Sequence, residues 1–533
     1  MNFKYIYKTV IALACMSLLF TSCLDELDQI PEDDRQTSEA LYNSDPWAAY
    51  QGTIAKAYAS FILTGQQGPA GNSDITADDE GFTSYVRQYF QIQELPTDEA
   101  INAWSDPGTD DLNTAKWSVS NASIQMMYDR IFFAVSICNE FLREATDSKI
   151  DSRDLTDAQK AEVRAYRTEA RFLRALAYSH AIDIYGNVPF VTEEDPVGFF
   201  LPNQSTRTEL FDFVVSELLA IEDASREPRS VYARADKAAV WMLLAKLYLN
   251  AEVYTGSAKY TECLTYCNKV IAAGYSLEDD YSHNFLADNH TSSEIIFPLV
   301  QDGITTQTWG GTTYIIRAAI GGSMDAAEFG VSGGWGGNRS TSALATKFPD
   351  ADGSTDKRAM FHTDGQELTI SDMSQFTQGY GVAKFKNVTS AGDPGSDSTM
   401  EMVDTDYPLF RLADVYLMYA ESVLRGGNGG SAGQALSYMN DLRERAYGNT
   451  EGNIEAGDLT LDFILDERAR ELYWESHRRQ DLIRFNKFTG NDYTWPWKGG
   501  SMNGQEIPAY KALLPIPASD LNANPNLVQN TGY

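Results

Sequence analysis

"AQKAEVRAYRTEARFLRALAYSHAIDIYG", at residues 158–186, is the stretch that indicates the fold most clearly. Its apolar residues recur at steps of three and four, which is the period of one face of an α-helix. They are Val163, Tyr166, Ala170, Leu173 and Ala177. Gly186 then ends the pattern, because glycine readily adopts the backbone angles that close a helix. The stretch therefore predicts one long amphipathic helix.

A second face of the same helix carries four arginines, Arg164, Arg167, Arg171 and Arg174. Such a stripe could bind an anionic ligand, or it could pair with acidic side chains of the protein itself. Glu162 and Glu169 are interleaved with the arginines. Because opposite charges three and four residues apart stabilise a helix surface, we expect structural ion pairs rather than a ligand site.

Further helix pairs are predicted at 234–275, where the joint lies near Gly256, and at 408–446, where the joint is glycine-rich. A third pair is predicted within 459–485. Small residues placed one turn ahead of tyrosines make these pairs similar to tetratricopeptide units. The copies are scattered and not tandem, so they predict a helical scaffold and not a regular solenoid.

Long glycine-rich or polar stretches separate the helix pairs, at about 64–122 and 276–405. Loops of this length are usually functional or part of an added subdomain. The run "SEIIFPLV", residues 293–300, indicates a short strand. The predicted fold class is mainly α, with scattered tetratricopeptide-like helix hairpins forming a scaffold and a loop-rich capping subdomain containing a few short strands.

The N-terminus has the pattern of an export signal. Lys4 and Lys8 precede an apolar run, residues 9–20, which is too short to be a permanent membrane helix but suits a secretory signal. "FTSC", residues 20–23, resembles a bacterial lipobox, whose cysteine receives lipid. We expect residues 1–22 to be a lipoprotein signal peptide and Cys23 to anchor the protein through several acyl chains.

An acidic segment follows the cysteine. Residues 23–36 contain six acidic side chains before the first compensating arginine, Arg35. This tether resembles the surface-export signal of Bacteroidota lipoproteins, although a solvated spacer would have the same composition. Residues 37–533 are then expected to form the folded domain.

The charge of the chain excludes one class of partner. Its 533 residues include 75 acidic and 42 basic side chains, and the formal net charge is −33. Phosphate backbones would be repelled, so nucleic acid is not an expected partner. The three cysteines after the anchor, Cys138, Cys263 and Cys267, are an odd set, and the last two lie one helical turn apart. They predict buried free thiols and no disulfide.

No pattern argues positively for an enzyme. "GVSGG", residues 330–334, fits GxSxG, but no strand leads into it and no helix follows. The five histidines have no zinc-binding spacing. "PDADGSTDKR", residues 349–358, departs from the EF-hand spacing and predicts a turn rich in Asp side chains. Paired carboxylates of a glycosidase remain possible among so many acids.

Three segments resemble the hallmarks of the SusD/RagB lipoproteins, nutrient-capturing surface proteins of Bacteroidota. They are "RTEARFLRALAYSHAIDIYGNVPFV" (167–191), "PLFRLADVYLMYAES" (408–422) and "LLPIPASDLNANPNLVQNTGY" (513–533). The resemblance implies a non-enzymatic glycan binder on the outer face of the outer membrane. It also implies a SusC-like TonB-dependent transporter as partner and no required cofactor.

Four further stretches resemble the starch-binding member of that family: 64–74, 94–104, 301–314 and 493–504. In that binder an arc of aromatic rings follows an α-glucan helix. Carried over, the resemblance implies that the arc contains Trp104, Trp309 and Trp335, and that Arg87 offers hydrogen bonds to sugar hydroxyls. Two positions depart from the pattern, since Asn102 replaces a tryptophan and Asp106–Pro107 replaces an asparagine.

The local sequence around the three tryptophans agrees with a binding role. Each lies beside glycine or turn residues, a context for exposed loops. A pyranose face presents C–H groups with partial positive charge, which suit the negative face of an indole ring. Trp241 and Trp474 lie in segments with helical periodicity and are predicted to be packed, while Trp495 and Trp497 are predicted to brace a turn.

The resemblance also implies a structural calcium ion. Its ligands would be Asp404 and Asp406, with a third from a loop in which alignment leaves Asp288 or the unsuitable His290. Oxygen ligands from aspartate suit calcium, but Asp404 and Asp406 could equally cap the helix that begins near Arg411.

Three functions follow from these observations. The first is a surface lipoprotein that captures starch or maltooligosaccharides for a TonB-dependent transporter. The second keeps the fold and changes the ligand to another glycan, such as a fructan. The third is a surface glycoside hydrolase.

Overall fold

The structure is a computed structural model that describes residues 38–70, 73–77 and 79–533. The predicted signal peptide, Cys23 and the acidic tether lie outside these residues. The described part is mainly helical, as predicted, and contains eighteen α-helices. These are α1 Ser38–Ser44, α2 Pro46–Ile62, α3 Tyr85–Glu94, α4 Thr109–Asn113, α5 Ala122–Glu144, α6 Asp147–Ser152, α7 Asp157–Ile184, α8 Arg207–Ile221, α9 Lys237–Leu249, α10 Ala251–Thr255, α11 Tyr260–Ile271, α12 Gly311–Ala318, α13 Ser342–Ala345, α14 Leu412–Leu424, α15 Ala432–Tyr447, α16 Leu461–Leu472, α17 Arg478–Arg484 and α18 Ala518–Ala523.

In the same described residues, eight short strands accompany the helices and pair into four antiparallel ribbons: β1 with β5, β2 with β3, β4 with β8 and β6 with β7. The strands are β1 Ala100–Asn102, β2 Val188–Pro189, β3 Gln204–Ser205, β4 Ile295–Leu299, β5 Asn338–Ser340, β6 Phe361–His362, β7 Gly381–Val382 and β8 Tyr407–Arg411. Most of them lie in the long stretches between the helix pairs. None of the helices in the described ranges is apolar over enough residues to cross a membrane.

The predicted long helix is α7. The Thr156 hydroxyl accepts from the Gln159 amide, and the Gln159 side chain accepts from the Thr156 amide, so both ends of a capping box are present. Gly186 follows the helix with a φ of +76°, where a side chain would be strained. The C-terminal half of α7 is buried on every face because α5 and α8 pack against it.

The arginine stripe of α7 forms ion pairs within the protein, as predicted, but its partners are acids of neighbouring elements and not the interleaved Glu162 and Glu169. The guanidinium of Arg171 lies 2.7 Å from a carboxylate oxygen of Glu217 on α8, and that of Arg174 lies 2.8 Å from the other oxygen. Arg164 pairs with Asp151 at 2.7 Å. The stripe therefore holds neighbouring elements together and is not free for an anionic ligand.

The predicted helix pairs are α9 with α11 and α14 with α15, and they belong to a continuous row of packed helices: α2, α5, α7, α8, α9, α11, α14 and α15. Gly256 closes α10 at a φ of +74°, at the predicted joint. One boundary was wrong, since residues 408–411 belong to strand β8 and not to the following helix. Helix α3 packs against α5, α12 and α17 and so connects the row to the loop-rich part.

The third predicted pair, within 459–485, contains a sharp turn that its helical sequence pattern did not predict. Between α16 and α17, Trp474 and Ser476 have φ values of +64° and +62°. Trp474 is 1% exposed, so it is packed as predicted, but in this turn and not on a helix. The carboxylates of Glu99 and Glu94 accept hydrogen bonds from the backbone amides of Trp474 and Ser476, at 3.3 and 2.6 Å. These bonds hold the strained turn.

The remaining packing predictions are met in part, since Trp241 is less buried than predicted and Trp495 is a core residue. Trp241, on α9, is only half-buried and donates its indole N–H to Glu222 at 2.7 Å. Trp495 is buried. Trp497 braces the predicted turn, with a φ of +70° and an indole N–H that donates to the Ile370 carbonyl at 2.9 Å. Cys138, Cys263 and Cys267 are buried free thiols, as predicted.

A cluster of buried ion pairs joins β8 and α16. The Arg411 guanidinium lies 2.7 Å from carboxylate oxygens of Glu294 and Glu471 and 2.6 Å from one of Glu475. Glu471 also pairs with Arg358 at 3.1 Å and with Arg445. Burial alone would raise the pKa of Glu471, but the three arginines outweigh it and hold that pKa well below its usual range.

We expect Arg411→Met to destabilise the protein by about 3–5 kcal/mol, because it leaves three buried carboxylates without their shared cation. Chemical denaturation of wild type and variant measures the loss. Arg164→Met is the matched control, since the Arg164 side chain is 37% exposed, and it should cost no more than about 1 kcal/mol. Equal losses in the two variants would contradict the importance of the buried cluster.

Glu99 supplies a pH-dependent contribution to stability. Burial raises its pKa to about 7, with Asp98 adding to the effect and Arg478 opposing it. The folded state therefore favours the protonated form, and the stability from this group is lost as pH rises through about 7.

Glu99→Gln mimics the protonated acid, so its melting temperature should fall less than that of wild type between pH 5 and 8. Parallel melting curves for the two proteins would refute this assignment; Glu328→Gln, at an exposed acid, should follow wild type.

Candidate functional site

Three loops bring the predicted tryptophans together. Trp104 follows β1, Trp309 precedes α12 and Trp335 precedes β5. Because β1 pairs with β5, with Asn102 opposite Asn338, the ends of these strands place Trp104 beside Trp335. The backbone amide of Trp335 also donates to the Arg317 carbonyl of α12 at 2.7 Å. This bond holds the Trp335 loop against α12, the helix that the Trp309 loop leads into.

The three indole rings lie next to one another, with Trp335 between Trp104 and Trp309. The ring centroids of Trp104 and Trp335 are 6.4 Å apart and the planes are tilted by 49°. Those of Trp309 and Trp335 are 6.1 Å apart and tilted by 55°. All three side chains are half-buried. Each ring thus contacts its neighbour and keeps part of its surface exposed to solvent.

Two glycines close to the rings leave no room for a side chain. A Cβ atom added at Gly337 would lie 2.6 Å from the Trp104 ring, and one added at Gly310 would lie 2.0 Å from the Ser84 Cβ atom. The Trp104 indole N–H donates to the Trp335 carbonyl at 3.0 Å. Side-chain and backbone contacts therefore fix the ring positions.

Arg87 lies beside the rings but presents little surface. It is on α3, only 4% exposed, and its guanidinium lies 4.7 Å from the Tyr314 ring centre and 5.7 Å from that of Trp104. Its terminal nitrogen donates to Asp79 at 2.8 Å. The guanidinium is thus a support for Trp104, whose ring also contacts the buried Tyr314 edge-on at 5.9 Å.

Sequence reasoning missed a second pair, Arg317 and Glu401. The Arg317 guanidinium lies 5.4 Å from the Trp335 ring centre and 5.7 Å from that of Trp309, and 3.0 Å from a Glu401 carboxylate oxygen. Burial lowers the pKa of Arg317, although Glu401 opposes the shift. Arg317 could have been noticed one turn after Tyr314 on the helix that follows Trp309. Glu401 lies in a distant loop with no local signal.

Together these residues line an open cleft of about 880 Å³, within the size range of ligand sites. The lining residues are Asp79, Arg87, Ala103, Trp104, Ser105, Asp106, Trp309, Arg317, Trp335 and Glu401. All four predicted binding residues are therefore in one cleft. Its rings offer flat apolar surfaces for C–H groups, and its carboxylates and Ser105 offer polar contacts at the sides.

The two departures from the starch-binding pattern have different structural consequences. Asn102 is fully buried, where its side-chain amide donates to the Asn338 side chain at 2.6 Å. Position 102 therefore does not face the cleft, and the row of rings ends at Trp104. Asp106 is exposed and lines the cleft.

The structure places two of the three predicted calcium ligands in one cleft. Asp404 and Asp406 line this second cleft together with Asp302 and His290, the unsuitable alternative for the third position. Both Asp288 oxygens instead accept from Ser390, at 2.9 and 2.6 Å. Burial raises the pKa of Asp406 to about 7. Among the residues that the structure describes, no three His, Cys, Asp or Glu side chains are arranged to hold a metal ion. The donor set therefore does not fit calcium in this arrangement.

Nor do Asp404 and Asp406 cap a helix, so that alternative is wrong. No side chain caps α14 at Arg411. Asp404 instead accepts from the backbone amides of Gly303 and Ser396, at 2.7 and 2.6 Å, and Asp406 accepts from that of Gln301 at 2.7 Å. Both carboxylates hold loops.

Two other motifs have structural roles. In "GVSGG", Ser332 is exposed in a loop and donates to Glu401 at 2.7 Å. In "PDADGSTDKR", the Asp350 carboxylate accepts from the backbone amides of Ser354 and Thr355, at 3.0 and 2.9 Å. The latter is the turn that its sequence predicts.

Comparison with known proteins identifies the family. A model of the SusD family matches residues 363–533. The chain is 35% identical to the starch-binding protein SusD of Bacteroides thetaiotaomicron, and the match covers 100% of both chains. It is 24% identical to a SusD-like protein of Bacteroides ovatus, with 93% of this chain and 86% of the relative covered.

Solved structures share the fold. A SusD superfamily protein from Parabacteroides distasonis superposes with a TM-score of 0.70 at 21% identity, covering 92% of this chain and 99% of the other. Surface glycan-binding protein A from Bacteroides thetaiotaomicron, in complex with laminarihexaose, superposes with a TM-score of 0.67 at 20% identity, covering 91% and 99%. Because the starch-binding protein SusD is 35% identical to this chain over the whole length of both, the chain belongs to the SusD family.

Proposed function

We propose that this protein captures an α-glucan, starch or a maltooligosaccharide, on the outer surface of the outer membrane and delivers it to a SusC-like TonB-dependent transporter. In this proposal Cys23 carries the lipid that anchors the protein, and the cleft around Trp335 holds the glucan. The protein binds its ligand without cleaving it.

The tilt between successive rings is the observation that carries the proposal. Tilts of 49° and 55° mean that the three rings do not share one plane, so a straight, flat glycan chain could stack on only part of them. An α-glucan curves along its length and can present sugar faces to all three rings. Stacking of C–H groups on indole faces then provides apolar contact, and the flanking polar groups read the hydroxyls.

The relatives support capture of a glycan more broadly than they support the choice of glucan. The relative that is 35% identical over its whole length is named a starch-binding protein. The neighbour solved with laminarihexaose is only 20% identical, so its ligand shows that the fold does not decide the glycan. Another glycan, such as a fructan, is therefore the second candidate, and a glycoside hydrolase is the third.

Calorimetric titration with a glycan panel separates the three candidates. The mature chain carrying Cys23→Ala would be titrated with maltoheptaose, a cyclodextrin, laminarihexaose and a fructan oligomer, and each mixture would be assayed for new reducing ends. We expect binding of maltoheptaose and cyclodextrin and no release of reducing ends. Tighter binding of the fructan would support the second candidate, and cleavage would support the third.

Each ring should contribute to affinity without holding the fold together. Changing Trp104, Trp309 or Trp335 to Ala should weaken glucan binding roughly tenfold or more, since stacking is worth ~1–3 kcal/mol per ring. The central ring, Trp335, should cost most because both neighbours lean on it. Melting temperatures should change little.

Trp474→Ala is the control for these variants, because Trp474 is 1% exposed and its truncation should cost about 3–5 kcal/mol of stability. It serves better than Trp241, which is half-buried. Loop variants that melt early yet bind glucan normally would show that the rings are structural.

The anchor has its own test. A Cys23→Ala variant should lose its association with the membrane, because the mature chain has no other apolar segment of sufficient length. Cell fractionation and digestion by external protease measure this in cells that lack the transporter. A variant that stays with the outer membrane would refute the lipid anchor.

A further inference from the structure

We propose that the loop at residues 196–201 inserts its apolar side chains into the lipid surface of the membrane that carries the Cys23 anchor. This loop, called the apolar tip below, lies between strands β2 and β3, and its residues do not line the glycan cleft. The inference rests on the lipid anchor of the proposed function, but not on the glycan. It gives the folded domain a second, weaker contact with the membrane.

The apolar tip presents large hydrophobic side chains to solvent. Phe199 is 95% exposed, Val197 74% and Leu201 38%. Val528, which is 70% exposed, lies beside the second arm of the loop, where its backbone amide donates to the Gln204 side chain at 3.0 Å. Single exposed apolar residues are common on proteins, but several in one place mark a surface that contacts another apolar phase.

The arms of the loop are fixed although its tip is exposed. On the first arm, the Val191 carbonyl accepts from the Tyr178 hydroxyl of α7 at 2.7 Å. On the second arm, the Pro202 carbonyl accepts from the side-chain amide of Asn524 at 2.8 Å. The exposed tip is therefore held out from the domain by hydrogen bonds at its base.

The composition of the tip suits a lipid environment. No charged side chain occurs between Asp195 and Arg207, in a chain in which 22% of the residues are charged. Pro196 and Pro202 have no backbone N–H that would be left without a partner in lipid. Gly198 has a φ of +105°, and a Cβ atom added there would have nothing within 4 Å, so the backbone is open to its surroundings. The tip can thus enter the interfacial layer of a bilayer without burying a charge.

The apolar tip lies near the point where the anchored chain enters the domain. Arg143, in the last turn of α5, donates to the Glu193 carbonyl at 3.3 Å, at the base of the tip. The next residue, Glu144, accepts with its carbonyl from the Tyr50 hydroxyl at 2.7 Å, and the Tyr50 ring centre lies 4.9 Å from that of Tyr42 on α1. The first described helix and the tip are therefore attached to the same end of α5.

This position keeps the tip close to a membrane once Cys23 carries lipid. Residues 23–37 can extend over at most about 50 Å, since a chain spans no more than about 3.6 Å per residue. A domain held within that distance meets the bilayer at a high effective concentration, so a contact too weak to hold a free protein can form. Soluble partners are not concentrated in this way, which favours lipid as the occupant.

A reversible anchor makes the contact measurable. The mature chain with Cys23→Ala and an N-terminal histidine tag would be held on phosphatidylcholine vesicles that contain a nickel-chelating lipid. An environment-sensitive fluorophore attached through Val197→Cys reports the position of the tip, because the three remaining cysteines are buried. We expect blue-shifted emission on vesicles and quenching by spin-labelled lipid, and neither effect in the free protein.

Phe199→Ser should weaken the apparent affinity for these vesicles about tenfold or more, the effect of losing one buried phenylalanine side chain. Phe199→Leu should keep most of the affinity because it keeps an apolar side chain. Ile304→Ser is the matched control, since Ile304 is 58% exposed but lies in another loop, and it should bind like wild type. The loss in Phe199→Ser should persist at high salt because salt does not screen apolar contact. Melting temperatures would confirm that all three variants fold.

The inference is overturned if the fluorophore at position 197 stays in water on the vesicles, or if Phe199→Ser binds the vesicles like wild type. Sedimentation of the free chain tests a different occupant. Self-association of wild type that Phe199→Ser abolishes would show that a second copy covers the tip, and this too would overturn the inference.

The outcomes also separate this inference from the proposed function. Phe199→Ser should bind maltoheptaose like wild type, because the tip is not part of the cleft. If no glycan binds while the tip enters lipid, only the proposed glycan capture fails. If glycan binds and Cys23→Ala releases the protein from cell membranes while the tip stays in water, only this inference fails.

Discussion

Glu471 is buried with three arginines around it, and much of the loop-rich part of the molecule depends on that arrangement. Arg411 belongs to β8, Arg445 to α15 and Arg358 to the loop before β6. A buried carboxylate that lost its cations would be strongly destabilising, so the elements that carry them cannot separate independently. Arg411 also reaches Glu294 at 2.7 Å, just before β4, which fixes the ribbon of β4 and β8. The helix row thus holds its long insertions through paired charges as well as through apolar packing.

A buried ion pair also helps to position the cleft, through the turn after α16. Arg478, at the start of α17, binds both oxygens of Asp98 at 2.6 and 2.7 Å, and although burial opposes it, this cation lowers the pKa of Asp98 to about 2. Asp98 lies two residues before β1, whose far end leads to Trp104. Pairing of β1 with β5 then places Trp335. Fixed loops of this kind reduce the ordering entropy that a ligand must overcome on binding. An open cleft can therefore bind without a lid.

The sequence predicted features that local periodicity or local composition controls. The spacing in 158–186 and the cap at Gly186 give α7 because a helix repeats within a few residues. The glycines beside Trp309 and Trp335 mark loops for the same local reason. The pairing of Arg317 with Glu401 and the burial of Asn102 depend on contacts between residues far apart in the chain, which one sequence does not reveal. The turn at Trp474 was hidden because its positive φ values are stabilised by Glu94, at the end of α3, and by Glu99, just before β1, which are both distant in the chain.

Buried and exposed charged side chains have different roles in this protein. In the cluster around Arg411, each buried carboxylate has at least one arginine beside it, and these pairs fix the positions of the elements that carry them. In the cleft the two members of each ion pair differ in exposure: Asp79 and Glu401 reach solvent, while Arg87 and Arg317 are buried. The exposed member of each pair is an acceptor beside a ring, and a sugar offers a hydroxyl beside a C–H face. Ring and carboxylate are held to each other by one guanidinium, so the apolar and polar parts of the site keep a fixed spacing that a pyranose can match.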